Sequence, residues 1–258
     1  MPYPVAPEAV PETMLSEGRY DVAFARTAEQ LDEVLRLRFE IFNVELGEGL
    51  DESWETRRDR DPFDAVCHHL IVVERASQRI VGTYRMQTTT MAKTHLGLYS
   101  SAEFDLTAVP DEIMDGAVEL GRACVAEDHR NTQVLFLLWK GLALYMSHNR
   151  LRYLFGCCSL TSQDPGEGKA VLDYLADNGH LHPSLTLYPQ PGFECYDLDA
   201  PPTWDGTVKI PKLFRIYLRH GGKVCGPPAI DREFKTIDYL VLFDVAAMEE
   251  KKARAFFG

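Results

Sequence analysis

Charged residues stand where the hydrophobic pattern calls for apolar ones, and they are the clearest chemical signal in this sequence. Positions 31, 34, 35, 38, 39 and 42 follow the i, i+3, i+4 spacing of a helix stripe, and Arg38 lies inside it. A buried guanidinium is costly unless carboxylates meet it; the plainer reading packs its stem along the core and leaves its head at the surface. Asp61 and Asp64, in Asp61-Pro62-Phe63-Asp64, are candidate partners, although aspartates beside a proline also build turns. Glu119 and Arg122 interrupt the apolar run Val118–Val125, and strand alternation assigns them to opposite faces. Arg85 interrupts a further strand in the same way. Each of these suits a structural ion pair; together they point to a polar site running through a sheet, with a carboxylate available as a general base.

The elements that must position these residues are readable from periodicity. Tyr20, Val22 and Phe24 alternate as a half-buried strand, and Thr27 with Gln30 opens the helix that carries Arg38. His69–Glu74 and Ile80–Gln87 read as a hairpin, followed by the strand Val118–Val125 and a long helix capped by Asn131. Tyr153–Ser159 reads as a strand, Gly168–Asn178 and Pro211–His220 as helices, and Ile237–Asp244 as the last strand. The order predicts one α/β domain with a central mixed sheet flanked by helices over residues 20–244, a flexible proline-rich arm at 1–19 and an amphipathic tail at 245–258. No GxGxxG, P-loop or GxSxG pattern occurs, which argues against dinucleotide binding, P-loop NTPase and α/β-hydrolase chemistry.

With 27 basic and 39 acidic side chains the formal charge is −12, unfavourable for non-specific nucleic-acid binding. The apolar runs are too short to span a bilayer and no signal peptide is evident, so a cytoplasmic protein is expected. The six cysteines show no disulfide framework. Cys67-His68-His69 resembles a metal motif, but neighbouring strand residues point to opposite faces, so no metal site is expected.

Taken in order, Leu37-Arg38-Phe39-Glu40-Ile41-Phe42, Asp61-Pro62-Phe63-Asp64, Val81-Gly82-Thr83-Tyr84-Arg85 and Glu119-Leu120-Gly121-Arg122 resemble the N-acyltransferases of ornithine lipid synthesis. That family is GNAT-like and related to acyl-homoserine lactone synthases. The resemblance continues through Leu138-Trp139-Lys140-Gly141, Leu154-Phe155-Gly156-Cys157 and Gly226-Pro227-Pro228-Ala229-Ile230-Asp231, covering nearly the whole chain. It implies a GNAT-like (acyl-CoA N-acyltransferase) fold with no tightly bound cofactor. The implied donor is a 3-hydroxyacyl thioester on the phosphopantetheine of acyl carrier protein, and the implied acceptor is the α-amine of an amino acid, typically ornithine. A lyso-ornithine lipid would be the product.

Coenzyme A-dependent relatives of this fold place glycines before the helix that holds pyrophosphate. Here the stretch is Glu127-Asp128-His129-Arg130-Asn131-Thr132-Gln133, without glycine and with two carboxylates. A carrier-bound donor has one phosphodiester, which Arg130 and the helix start at Asn131 are expected to hold.

Glu119 is the expected base, directly or through a water, with a structural pairing to Arg38 or Arg122 as the other reading. Backbone N–H groups of Cys124, Val125 and Ala126 are the implied oxyanion and pantetheine partners. Arg38, Asp61, Asp64, Arg85 and Arg122 would form a supporting network, and Asp61 or Asp64 could instead grip the acceptor.

Leu96, Leu98, Phe104, Phe136 and Phe155 are candidates to line an acyl slot. Two basic clusters, Arg57, Arg58 and Arg60, and Lys209, Lys212, Arg215, Arg219 and Lys223, are candidates to dock the acidic carrier. The tail is a candidate for peripheral contact with the inner membrane. The alternatives are an acyl-homoserine lactone synthase-like enzyme and a non-catalytic acyl-carrier or lipid-binding module.

Overall fold

The computed structural model describes residues 3–249. In chain order the elements are β1 (Leu15–Glu17), β2 (Tyr20–Phe24), α1 (Ala28–Phe39), α2 (Ser53–Thr56), β3 (His68–Glu74), β4 (Ile80–Thr88), α3 (Thr89–Thr94) and α4 (Asp111–Met114). There follow β5 (Ala117–Val125), α5 (Thr132–Asn149), β6 (Tyr153–Leu160), α6 (Pro165–Asp177), α7 (Lys212–His220), β7 (Lys223–Val224), β8 (Ala229–Asp231) and β9 (Thr236–Asp244). By their contacts the described residues form two compact units. The first runs to Gly97 and takes up again over Val118–Leu151; the second holds Leu98–Ala117 and Arg152–Glu249.

In the first unit β1 to β5 lie side by side in sequence order, and the pairings are antiparallel. One face carries Val22, Leu70 and Gly82 beneath α5. Close approach there depends on Gly141, because a methyl group at that position would stand 2.4 Å from the Leu70 side chain. The other face lies beneath α1. Thr27 caps that helix by accepting from the Gln30 amide, while the Gln30 side chain reaches back to the Arg26 amide. A π-helical turn, Glu40–Glu45, prolongs α1.

The proline-rich segment expected to be a flexible arm is docked instead. Val5 and Val10 are buried, the Val5 carbonyl meets His68 at 2.7 Å, and Leu15–Glu17 adds an edge strand to β2. Its few apolar groups suffice because each enters a site already framed by the sheet.

In the second unit β9 pairs with β6, β7 and β8, all antiparallel. Alternation along β9 sends Ile237, Tyr239 and Val241 towards Val171 and Leu175 of α6 and Phe214 and Leu218 of α7. Leu240 and Leu242 face Phe104, Phe155, Leu185 and Leu187. Helix α6 begins three residues before the expected Gly168, because Asp164 caps the Gly166 amide at 2.8 Å and Pro165 occupies the first turn. No helix of the described residues is long and apolar enough to cross a membrane. Met248 is buried, and the rest of the expected amphipathic tail, 250–258, lies outside the described residues.

Candidate active site

Arg38 is fully buried on α1. Its Nε donates to Asp59 Oδ2 at 2.7 Å and its Nη1 to Asp64 Oδ1 at 2.6 Å. Arg85, on the sheet face below, donates through Nη1 to both Asp61 oxygens at 2.6 Å and to Asp64 Oδ1 at 3.1 Å. Arg122 donates from Nη2 to Asp61 Oδ2 at 3.1 Å, with its Nε 3.4 Å from Asp59. Three arginines thus meet three aspartates. His69 adds its Nε2 at 3.4 Å from Asp64 and its Nδ1 at 2.9 Å from the Tyr3 hydroxyl.

Turn chemistry and ion pairing prove to be one device. Asp61 Oδ1 accepts from the Phe63 amide at 2.9 Å, and Asp64 Oδ2 accepts from the Asp61 amide at 2.8 Å, a reciprocal capping box around Pro62. The turn fixes both carboxylates at the spacing the arginines require. Burial alone would raise the Asp64 carboxyl, but Arg38, the His69 hydrogen bond and Arg85 outweigh it and hold it well below the usual carboxylate range. Asp61 is also lowered, Arg85 and Arg122 overcoming burial and the neighbouring Asp64.

The expected separation of Glu119 and Arg122 onto opposite faces does not hold. The register between β4 and β5 slips by one between Thr83↔Cys124 and Arg85↔Gly121, so Arg122 and Ala123 together oppose Tyr84. Arg122 takes the left-handed region at φ 48°. This β-bulge turns its side chain to the network face. Left-handed backbone costs a non-glycine residue roughly 1–2 kcal/mol, which the two carboxylate contacts of Arg122 offset. Glu119 is buried on the face that Gln87 and Arg85 also occupy, since Gln87 pairs with Glu119 and Arg85 with Gly121 in the register. Above Gly121 the sheet is open, with none of the described residues within 4 Å of where a side chain would begin.

The segment expected to contact the donor is partly committed. The Ala126 amide donates to Val81 at 2.8 Å, so that N–H serves the sheet. Asn131 Oδ1 caps α5 through the Val134 amide at 3.0 Å, and its Nδ2 donates to the Tyr20 hydroxyl at 3.1 Å. Arg130 pairs through both terminal nitrogens with Glu45 and donates from Nε to the Val125 carbonyl at 3.1 Å. Cys124 is buried, and burial first of all pushes its thiol up to about 12, as it does that of Cys67. Neither is a ready nucleophile.

The histidines behave as the strand rule requires, one on each face. His68 uses Nδ1 on the Tyr145 hydroxyl at 2.8 Å and Nε2 on the Val5 carbonyl at 2.7 Å, and burial pushes it down to about 4. His69 uses both nitrogens in the network, so neither ring has a lone pair to spare for a metal.

In the second unit Leu106, Val109, Ile113, Phe155, Leu240 and Leu242 are among the residues lining a wholly apolar slot. Of the expected acyl-slot residues Phe155 lines it, while Leu98 and Phe104 belong to the same cluster. Leu96 is exposed and Phe136 lies under the Lys140 ammonium at 4.8 Å, so these two belong elsewhere. Among the described residues, Glu103, Asp231 and Asp238 form the group whose ligand atoms lie close enough for a cation, within 4.8 Å of one another. Burial raises the Asp238 carboxyl above the usual carboxylate value, Ser159 opposing and Asp231 reinforcing it.

Asp59, Tyr3 and Gln87 are not among the residues the sequence singles out, and His69 is singled out there only within a metal-like motif. Asp59 lies inside the run Arg57-Arg58-Asp59-Arg60-Asp61, whose arginines are the expected carrier-docking cluster. The run divides: Arg57 and Arg60 are exposed, Arg58 pairs with Asp32, and Asp59 turns fully inward. The odd-position spacing of Asp59 and Asp61 was the available signal.

A family profile described as Acetyltransferase (GNAT) domain matches residues 37–140, which contain the whole charged network except Tyr3. The chain is 32% identical over 241 residues to an L-ornithine N(alpha)-acyltransferase of Rhodobacter capsulatus, covering 90% of this chain and 92% of that one. It is 28% identical over 239 residues to the protein of the same name from Rhizobium meliloti, covering 87% and 80%. Among solved structures, FeeM, an N-acyl amino acid synthase from uncultured soil microbes, superposes with a TM-score of 0.50 at 11% identity, covering 89% of this chain and 92% of that one. That likeness shows the shared GNAT fold, the α/β class expected from the sequence.

Proposed function

This chain belongs to the family of L-ornithine N(alpha)-acyltransferases, and from that membership we propose that it moves a long-chain 3-hydroxyacyl group to the α-amine of ornithine. The donor in this proposal is the phosphopantetheine thioester of acyl carrier protein. The neutral amine attacks the thioester carbonyl, a C–N bond forms, the C–S bond breaks, and the carrier thiol leaves. Glu119 takes the amine proton, directly or through a water, and returns it to the departing thiolate. Backbone N–H groups around the Arg122–Ala123 bulge, with those of Cys124 and Val125, face the developing oxyanion. Arg38, Asp59, Asp61, Asp64, Arg85 and Arg122 act as positioning residues, tying helix, turn and sheet into one rigid support.

The observation that carries this reading within the site is the buried Glu119 beside an open sheet floor at Gly121, one residue before the bulge. A single phosphodiester suits a segment in which Glu127 and Asp128 disfavour pyrophosphate, with Arg130 exchanging Glu45 for it. Lys212, Arg215 and Arg219 form an exposed basic row at i, i+3, i+7 on α7, a surface suited to an acidic carrier. In this proposal the reaction runs in the cytoplasm and its lipid product passes to a membrane surface.

The test is mass spectrometry of the purified protein incubated with 3-hydroxypalmitoyl carrier protein and L-ornithine. N-acylornithine is expected, with Glu119→Gln lowering its rate by about 10²–10⁴-fold. Carrier binding without turnover, or an acyl-homoserine lactone formed only when S-adenosylmethionine replaces ornithine, would overturn the proposal. Full activity in the variant would remove Glu119 from the role of base.

A further inference from the structure

Gln87 is 1% exposed, and among the described residues neither end of its carboxamide, Oε1 or Nε2, has a hydrogen-bond partner. A buried amide left in this state forfeits two sets of hydrogen bonds to water and gains nothing from folding. Leucine or methionine would fill the same volume without that cost. The sequence therefore retains a polar group at a position where stability alone favours an apolar one.

Its location indicates what the group is for. In the β4–β5 register Gln87 stands directly opposite Glu119, and cross-strand partners point to the same face. Two residues along each strand, Arg85 stands opposite Gly121, where the face is open. Gln87 thus borders the same patch of sheet as the carboxylate proposed as base. Arg85, the nearest cation on its own strand, is already engaged by Asp61 and Asp64.

We propose that the Gln87 carboxamide is the subsite for the α-amino-acid head group of the acceptor. It rests on the acyl-transfer reading above. A carboxamide offers a donor and an acceptor side by side. Its Nε2–H groups donate to the acceptor's α-carboxylate and its Oε1 accepts from the α-amine, presenting that nitrogen beside Glu119. A site built to hydrogen-bond a substrate group discriminates strongly against analogues lacking it. The subsite therefore selects α-amino acids over simple diamines of the same length.

The experiment compares wild type, Gln87→Met and Gln87→Glu with 3-hydroxypalmitoyl carrier protein as donor and either L-ornithine or 1,4-diaminobutane as acceptor. Gln87→Met is expected to raise the KM for ornithine at least tenfold, with the KM for the carrier within twofold of wild type. Its preference for ornithine over the diamine should fall by the same factor, while its melting temperature is unchanged or higher. Gln87→Glu keeps the shape and sets a carboxylate against the acceptor carboxylate, so it should lose ornithine affinity at least as strongly, and it decides the matter if the methionine variant does not fold. An ornithine KM within twofold of wild type, or equal losses for both acceptors, overturns the subsite and leaves the acyltransferase reading standing. Wild-type protein that acylates neither acceptor overturns both.

Discussion

In the first unit three arginines meet three aspartates, whereas in the second Glu103, Asp231 and Asp238 crowd against one another. The same side chain, aspartate, is driven in opposite directions by these two settings. Asp64 is held well below the ordinary carboxylate value, because Arg38 and Arg85 overcome burial. Asp238 is raised, because burial is reinforced by Asp231 and the hydroxyl of Thr236, 3.1 Å away, compensates only in part. Burial raises both carboxyls, and the sign turns only where cations oppose it, as Arg38 and Arg85 do at Asp64. The first cluster favours the charged carboxylate, and the second disfavours it.

The difference can be attacked most directly at Arg38. Replacing it with methionine leaves Asp59 and Asp64 buried without their main partner, and a loss of about 3–5 kcal/mol in a urea titration is expected. A loss below about 1 kcal/mol would mean that Arg85 and Arg122 suffice, and that the six charges do not act as a unit.

A smaller effect comes from making one chemical change in both places. Asp64→Asn should destabilise by about 1–3 kcal/mol, since it strips charge from a carboxylate serving two arginines. Asp238→Asn should stay within about 1 kcal/mol, since it removes a charge the folded protein already disfavours. Equal losses in the two variants would erase the distinction.

The smallest effect is also the most specific, the slope of stability against pH. The folded pKa of Asp64 lies below its unfolded value near 3.8, so its contribution is present above that pH and is lost as pH falls through the folded value. The folded pKa of Asp238 lies above 3.8, so its contribution is present below that pH and is lost as pH rises through the folded value. Urea titrations across the acid range should therefore show a falling slope above pH 3.8 that disappears in Asp238→Asn, and a rising slope below it that is lost in Asp64→Asn. A slope unchanged in either variant assigns it to other groups.

Much of this was legible in the residues. Helix periodicity alone put Arg38 among Val34, Leu35 and Phe39, all of them buried. Asp-Pro-Phe-Asp announced a turn, and strand alternation separated His68 from His69 correctly, because both patterns are set by neighbours along the chain. The docking of Tyr3 and Val5 was not legible, since an arm with few apolar groups reads as solvated until the surface that receives it is known. Gln87 raised no signal either; a single glutamine in a strand is unremarkable until its surroundings offer it no hydrogen bond.

What the sequence determined by itself was the set of elements and the presence of charges within them, because periodicity and capping act over a few residues. Tertiary structure alone decided which charges meet. Alternation assigned Arg122 to the face away from Glu119, and only the one-residue slip between β4 and β5, with Arg122 at φ 48°, brought it to Asp59 and Asp61. A bulge is a disagreement between two paired strands, and neither strand's own sequence contains it.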